Sequence, residues 1–203
     1  MRSGHAGRPL RSGHAGRPLR SGHAGRPSVL SVGALDPTKG HDFVVEAVGL
    51  LPVQNRPPVD VVYERWAPGY DEELRGLARR VGVELRLHRG VTDAELVELY
   101  RHATVTACAA RLEPFGLSPV ESLSCGTPVV AVREGGFRET VIDGVNGELV
   151  ERHPPAFSSA LDRALWRRDE WDPWALRATV VPRWSWERSS ARLHELLAEV
   201  AAS

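Results

Sequence analysis

The sequence holds a single lysine, Lys39, among its 26 basic side chains, a single methionine and two cysteines. Cys108 and Cys125 form no C-x-x-C pair and lie in apolar surroundings, so two reduced, buried thiols of a cytosolic protein are expected. No apolar run approaches the ~20 residues that span a bilayer. No apolar segment follows the basic N-terminus, as a signal peptide would require. These gaps lead us to expect a cytoplasmic protein with no transmembrane segment, free to sit at the periphery of a membrane. No D-x-D pair is present to hold a metal–diphosphate, and no G-x-G-x-x-G follows the first apolar run. Two near-matches fail in detail. "GALDPTKG" (33–40) approaches a phosphate loop, but Thr38 stands where the second glycine belongs and Gly40 where Ser or Thr would bind magnesium. "GLSPV" (116–120) approaches a nucleophile elbow without its closing glycine. Phosphate binding here must do without a metal.

Charge is present but unevenly spread. The formal net charge is zero, yet residues 2–10 and 11–19 both read RSGHAGRPL and residues 20–27 read RSGHAGRP. That repeat holds six arginines, three histidines (5, 14, 23) and no acid, which leaves 20 basic and 26 acidic side chains in residues 28–203. A nine-residue unit rich in Gly and Pro and poor in large apolar groups cannot bury enough surface to fold. Residues 1–27 are therefore expected to be a disordered leader, with a nucleic-acid arm or a metal tract as the alternatives. The acidic remainder argues against nucleic acid as a partner.

From residue 28 the pattern alternates. Short apolar or β-branched runs at 28–33, 59–63, 84–88, 104–109 and 128–132 are separated by segments of helical spacing at 40–51, 70–82 and 92–103. Thr92 with Glu95 forms a capping-box pattern. The alternation predicts an α/β fold, a Rossmann-like parallel sheet with helices on both faces over 28–203. Ligands of such sheets bind beyond the carboxyl ends of the strands. Five of the six tryptophans crowd into residues 166–186, a concentration that suits a docking surface, and "SSARLHELLAEVAA" after them is expected to be a helix.

The stretch "RLEPFGLSPVESLSCGTPVVAV" (111–132) sets two glutamates around a helix start. Pro119 suits the first helical position, and Gly126 with Pro128 ends the helix. Ser118 and Glu121 match a capping box, which would by itself explain Glu121. Glu113, in the preceding loop, has no such local reason. Two acids beside free backbone N–H groups suit a ligand with hydroxyls for the carboxylates and a phosphate for the amides.

"EPFGLSPVESLSCGTPVVAVREGGFRETVIDGVNGELV" (113–150) closely resembles the nucleotide-sugar-binding signature of the GT-B-fold glycosyltransferases of family 4, or group 1. The resemblance extends to "VLSVGALDPTKGHDFVVEAVGLLP" (29–52), "GVTDAELVELYRHA" (90–103) and "WSWERSSARLHELL" (184–197). It implies a C-terminal donor domain of a retaining, metal-independent hexosyltransferase-like enzyme that uses a nucleoside-diphosphate sugar and no other cofactor. It implies that Lys39 and Glu113 are catalytic. Lys39 would pair with the diphosphate and Glu113 with sugar hydroxyls. The backbone at Phe115, Gly116 and Leu117 would hold sugar and diphosphate, with Gly33 beside them. Glu121 would accept from the ribose, and Val91 would meet the base through its backbone.

Three departures qualify what the resemblance implies. Ala34 stands where the family usually has an arginine on the diphosphate; one lost donor costs about 2.7–4 kcal/mol in a comparable setting. Arg133 or Arg138 is a candidate substitute. "VVYERW" (61–66) lacks the glycine common after the second strand. Nothing in 1–27 corresponds to the family's acceptor-binding domain, so a separate acceptor-domain protein, or self-association through residues 166–190, is expected. The rival reading is a non-catalytic nucleotide-sugar-binding module or an inactive truncated remnant.

Overall fold

A computed structural model describes residues 26–167 and 169–201. The alternation expected from the sequence is what forms. β1 (Val29–Val32), α1 (His41–Gly49), β2 (Val59–Tyr63), α2 (Tyr70–Val81), β3 (Leu85–Arg89), α3 (Asp93–His102) and β4 (Val105–Cys108) follow one another. Then come α4 (Leu117–Ser124), β5 (Val129–Val132), α5 (Phe137–Thr140), β6 (Gly147–Val150) and α6 (Pro154–Trp166). The chain ends in α7 (Pro173–Ala178), α8 (Val181–Trp184) and α9 (Trp186–Ala201).

The six strands are all parallel, in the order β3-β2-β1-β4-β5-β6. The chain runs outward from β1 to β3, then crosses back to β4 on the other side of β1. In sheets with such a reversal, ligands bind at the carboxyl edge beside it. On one face Val29, Val59, Val61 and Val105 pack with Val44 and Val48 of α1, Leu74 of α2, and Phe157 and Leu161 of α6. The other face is covered by α3, where Leu30, Val62, Tyr100, Ala103 and Cys125 form a second cluster. Burial on both faces explains why β5, VVAV, is apolar at every position.

Helix signals act locally where expected. Thr92 and Glu95 make the reciprocal capping box of α3. Acids open α2 and arginines close it, as the helix dipole favours. Cys108 and Cys125 are free and buried. No helix among the described residues is long and apolar enough to cross a membrane.

The tryptophan-rich segment divides. Trp171 and Trp184 pack against the core, while Trp166, Trp174 and Trp186 are 70%, 63% and 64% exposed. Along α9, Leu193, Leu196, Leu197 and Val200 repeat at helical spacing and are all exposed; no residue of that helix is buried.

Most of the repeat lies outside the described residues. Its last arginine, Arg26, meets Glu84 at 3.3 Å and the Arg56 carbonyl at 3.2 Å, with both ion-pair partners well exposed. Exposed pairs of this kind are worth about 0–1 kcal/mol. Deleting residues 1–27 should therefore leave the thermal midpoint unchanged within error. A fall of several degrees by calorimetry would show that the repeat packs on the domain.

Candidate functional site

The loop after β1 is built to hold Lys39. Asp36 caps a short 3-10 turn, Pro37–Lys39, by accepting from the Thr38 amide at 2.8 Å. Gly40 then takes a left-handed conformation, φ 69°, which a side chain would strain. A Cβ there would also stand 2.2 Å from the Ala109 carbonyl oxygen. The loop thus lies against the end of β4, where the Arg111 amide donates to the Thr38 carbonyl at 2.8 Å. From below, the fully buried His41 spans Ser31 Oγ at 2.9 Å and the Ala34 carbonyl at 3.1 Å. As an Nε2–H tautomer it donates to Ala34 and accepts from Ser31. The Lys39 stem crosses Gly33, whose missing Cβ would lie 3.2 Å from Cγ.

The facing loop, after β4, is fixed from two sides. Arg152 donates to the Ala109 and Ala110 carbonyls at 3.0 and 3.1 Å and grips Glu134 with both arms of its guanidinium. The Gly136 amide donates to the Glu113 carbonyl at 2.8 Å. A Cβ at Gly136 would stand 2.4 Å from the Phe115 backbone, so the two loops touch main chain to main chain. Phe115 packs edge-on to Trp184, centroids 4.9 Å apart. The result brings Lys39 Nζ within 2.9 Å of Glu113 Oε2, with both side chains part-buried.

At α4 the structure corrects the sequence reading. Gly116, at φ 87°, forms the N-cap and Leu117 is the first helical residue, so Pro119 is third rather than first. The Ser118–Glu121 capping box does not form: no side chain caps this helix. Ser118 already lies inside the first turn, and its Oγ faces the Val32 carbonyl at 3.3 Å. Glu121 instead accepts from the Tyr100 hydroxyl on Oε2 at 2.8 Å. Burial raises the Glu121 pKa above its usual value; the Tyr100 hydrogen bond pulls it back, and Asp93 adds to the rise. Burial likewise pushes the Cys108 thiol well up, with Glu113 and Glu121 adding to it, so this cysteine is no nucleophile.

Gly33 and Lys39 thus lie on the loop after β1, and Glu113, Phe115, Gly116, Leu117 and Glu121 on the loop after β4 and the start of α4, the Lys39–Glu113 contact joining the two. Val91 lies on the loop into α3, its side chain against the cluster that contains Tyr100. The loop after β2 needs no glycine, because it bridges to the first loop: Leu35 donates to the Arg65 carbonyl and Ala67 to the Leu35 carbonyl. Arg89 stacks 3.7 Å over the Trp66 ring there. Arg133 is no substitute for the arginine absent at position 34. Its guanidinium is held by Asp143 at 2.8 Å and the Leu149 carbonyl at 2.6 Å. Arg138 is exposed on α5, whose Phe137 lies against Gly116. His41, Tyr100 and Arg152 were not singled out by the sequence pattern. Only the polarity of His41 on an otherwise apolar helix face hinted at a role.

Known proteins are similar to this chain in sequence and fold. The profile of the family described as "Glycosyl transferases group 1" matches residues 20–175. A D-inositol 3-phosphate glycosyltransferase of Thermobifida fusca is 35% identical over 176 residues, covering 82% of this chain and 37% of the relative. The enzyme of the same description from Xylanimonas cellulosilytica is 35% identical, with 84% and 42% covered. The chain thus spans about two fifths of the length of these relatives. Sucrose-phosphate synthase from Thermosynechococcus elongatus superposes with a TM-score of 0.78 at 28% identity, over 88% of this chain and 46% of that one. The Anabaena protein HepE in complex with UDP gives 0.77 at 24% identity, over 88% and 50%, a likeness of fold.

The buried His41 makes the site loop acid-sensitive. Burial lowers its pKa below 6.5, so the unfolded chain takes up a proton before the folded one does. The stability tied to the neutral ring is complete above about pH 6.5 and is lost as the pH falls below it. Calorimetry from pH 7.5 to 5.5 should show a steeper fall in midpoint for the wild type than for His41→Gln. Equal slopes would show that His41 is protonated as easily folded as unfolded.

Proposed function

The chain belongs to the group 1 glycosyltransferases, and on that premise we propose that residues 28–203 are the nucleotide-sugar donor domain of a retaining, metal-independent glycosyltransferase. The observation that carries this reading is the Lys39–Glu113 pair, 2.9 Å apart, beside the α4 N-terminus that no side chain caps. The diphosphate takes the Lys39 ammonium and the first-turn amides of α4, where the helix dipole favours an anion. Glu113, released from Lys39, accepts from the sugar hydroxyls. Glu121 accepts from the ribose through Oε1, and the backbone at Val91 meets the base. As the bond from the anomeric carbon to the diphosphate breaks, its electron pair moves onto a phosphate oxygen, and these fixed donors meet that charge without reorganising. The positive charge a metal would supply comes instead from the lysine and the helix.

The exposed Trp174 and Trp186 and the apolar stripe of α9 form the surface that would receive an acceptor-binding domain or a second copy. The rival reading, a module that binds a nucleotide sugar and transfers nothing, is favoured by Ala34, which removes one donor from the leaving group.

Two measurements test the proposal. Calorimetry against UDP, GDP and ADP with a chelator present should detect binding of at least one; silence from all three at millimolar ligand would sink the donor site. Glu121→Ala should weaken the bound nucleotide by roughly tenfold, the cost of one hydrogen bond to a charged group. Glu113→Ala should weaken only the sugar-bearing form. Separately, sedimentation paired with a transfer assay should find self-association and no transfer by the purified chain. A monomer transferring sugar at an ordinary enzymatic rate would refute the need for a partner surface.

A further inference from the structure

Resting on the donor-site reading, we infer that Tyr100 is a positioning residue for the nucleotide ribose: it fixes the Glu121 carboxylate through Oε2 so that Oε1 faces the sugar diol. Tyr100 is 1% exposed in an apolar setting of Leu30, Val62, Ala103 and Cys125. A phenylalanine would fill that setting equally well. The hydroxyl is a polar group carried into a place where an unpaired one is costly, and its partner is Glu121, at 2.8 Å.

The Tyr100 backbone is held as well as its hydroxyl. Thr127 Oγ1 donates to the Tyr100 carbonyl at 2.6 Å. Ser122, one residue beyond Glu121, donates to the Thr127 carbonyl at 2.9 Å, and its Oγ accepts from the Thr106 hydroxyl at 2.7 Å. This buried polar chain ties the end of α3 to α4 and to the entry of β5. The gap between phenol and carboxylate is therefore set by backbone rather than by two free side chains. No hydrogen bond reaches Glu121 Oε1 among the described residues. A carboxylate with one oxygen committed and its plane fixed loses little freedom on binding a hydroxyl. Burial opposes its ionisation, and a neutral hydroxyl donating to it favours the charged form that can accept twice.

The same helix carries the base side of the site. Val91 lies two residues before α3 begins and packs on the cluster that holds Tyr100. A shift of α3 that brings Val91 to a base also moves the phenol against Glu121. Base and ribose contacts are thus set by one rigid element.

The full chain serves for the test. Wild type, Tyr100→Phe, Glu121→Ala and the double variant are titrated with the tightest binder among UDP, GDP and ADP, and with its 2′,3′-dideoxy form. Tyr100→Phe should lose roughly tenfold in affinity for the ribonucleotide, nothing for the dideoxy form, and nothing further in the Glu121→Ala background. Its thermal midpoint should report a folded protein. Equal weakening of both nucleotides, or a loss that persists without Glu121, would overturn the inference and make Tyr100 a packing residue. Failure of Tyr100→Phe to fold, where Glu121→Ala folds, would overturn it too, since the hydroxyl would then serve the core. Wild type that binds none of the three nucleotides would sink the donor-site reading and this inference with it. Wild type that binds, with Tyr100→Phe unchanged, would sink this inference alone.

Discussion

How deeply the loop after β1 sinks against the end of β4 governs everything at the carboxyl edge. At Gly40 the space left for a side chain is nil: the Ala109 carbonyl oxygen lies 2.2 Å from where a Cβ would be. Any other residue would lift the loop and draw Lys39 off Glu113. The same compaction recurs under Glu113, where Gly136 meets the Phe115 backbone at 2.4 Å from its own missing Cβ. Arg152 holds both layers together, with two carbonyls of one loop and a carboxylate of the other on a single guanidinium. The charged groups of the site are placed by main-chain contact, and their side chains need only reach a short way.

That placement has an electrostatic consequence. Lys39 and Glu113 are both part-buried, where an uncompensated charge is penalised and a pair is tolerated. The two satisfy each other. A nucleotide sugar offers each a replacement: a phosphate oxygen for the ammonium and a hydroxyl for the carboxylate. Exchange of this kind leaves neither group orphaned, whereas a ligand with only one of the two features would strand the other. On the proposed donor-site reading, the pair would select for a ligand that is anionic at one end and hydroxylated at the other.

The sequence disclosed the parts of this site better than their contacts. Strands up to β5, helices up to α4 and the C-terminal helix α9 were legible because β-branched runs and helical spacing extend over lengths that local pattern can resolve. β6 was not, because Gly147–Val150 reads GELV rather than as a β-branched run, and its first position must be glycine to clear the Val129 carbonyl, 2.1 Å from its missing Cβ. Lys39 and Glu113 stood out singly, one as the lone lysine and one as a loop acid, yet nothing local says that residues 74 apart will touch. The capping box at Ser118 misled for a similar reason. Where α4 begins is decided by Gly116 turning left-handed beneath the Phe137 ring, a contact made across the fold. Nothing in the sequence singled out Tyr100, whose hydroxyl acquires meaning only from a carboxylate on the next helix.

Ala34 shows how binding and transfer can come apart in such a site. Its side chain offers no charge to a diphosphate, but its backbone is held independently by His41 through the carbonyl at 3.1 Å. The loop geometry that presents Lys39 therefore does not depend on what residue 34 carries. A donor missing from the leaving group matters most when charge is developing there, and less when the diphosphate is merely bound. With Arg133 committed to Asp143 and the Leu149 carbonyl, no neighbouring guanidinium on that strand takes up the duty. The expected signature of Ala34 is thus a reduced rate with donor affinity largely kept, because the groups that hold the ground state are fixed by contacts in which Ala34 contributes only its main chain.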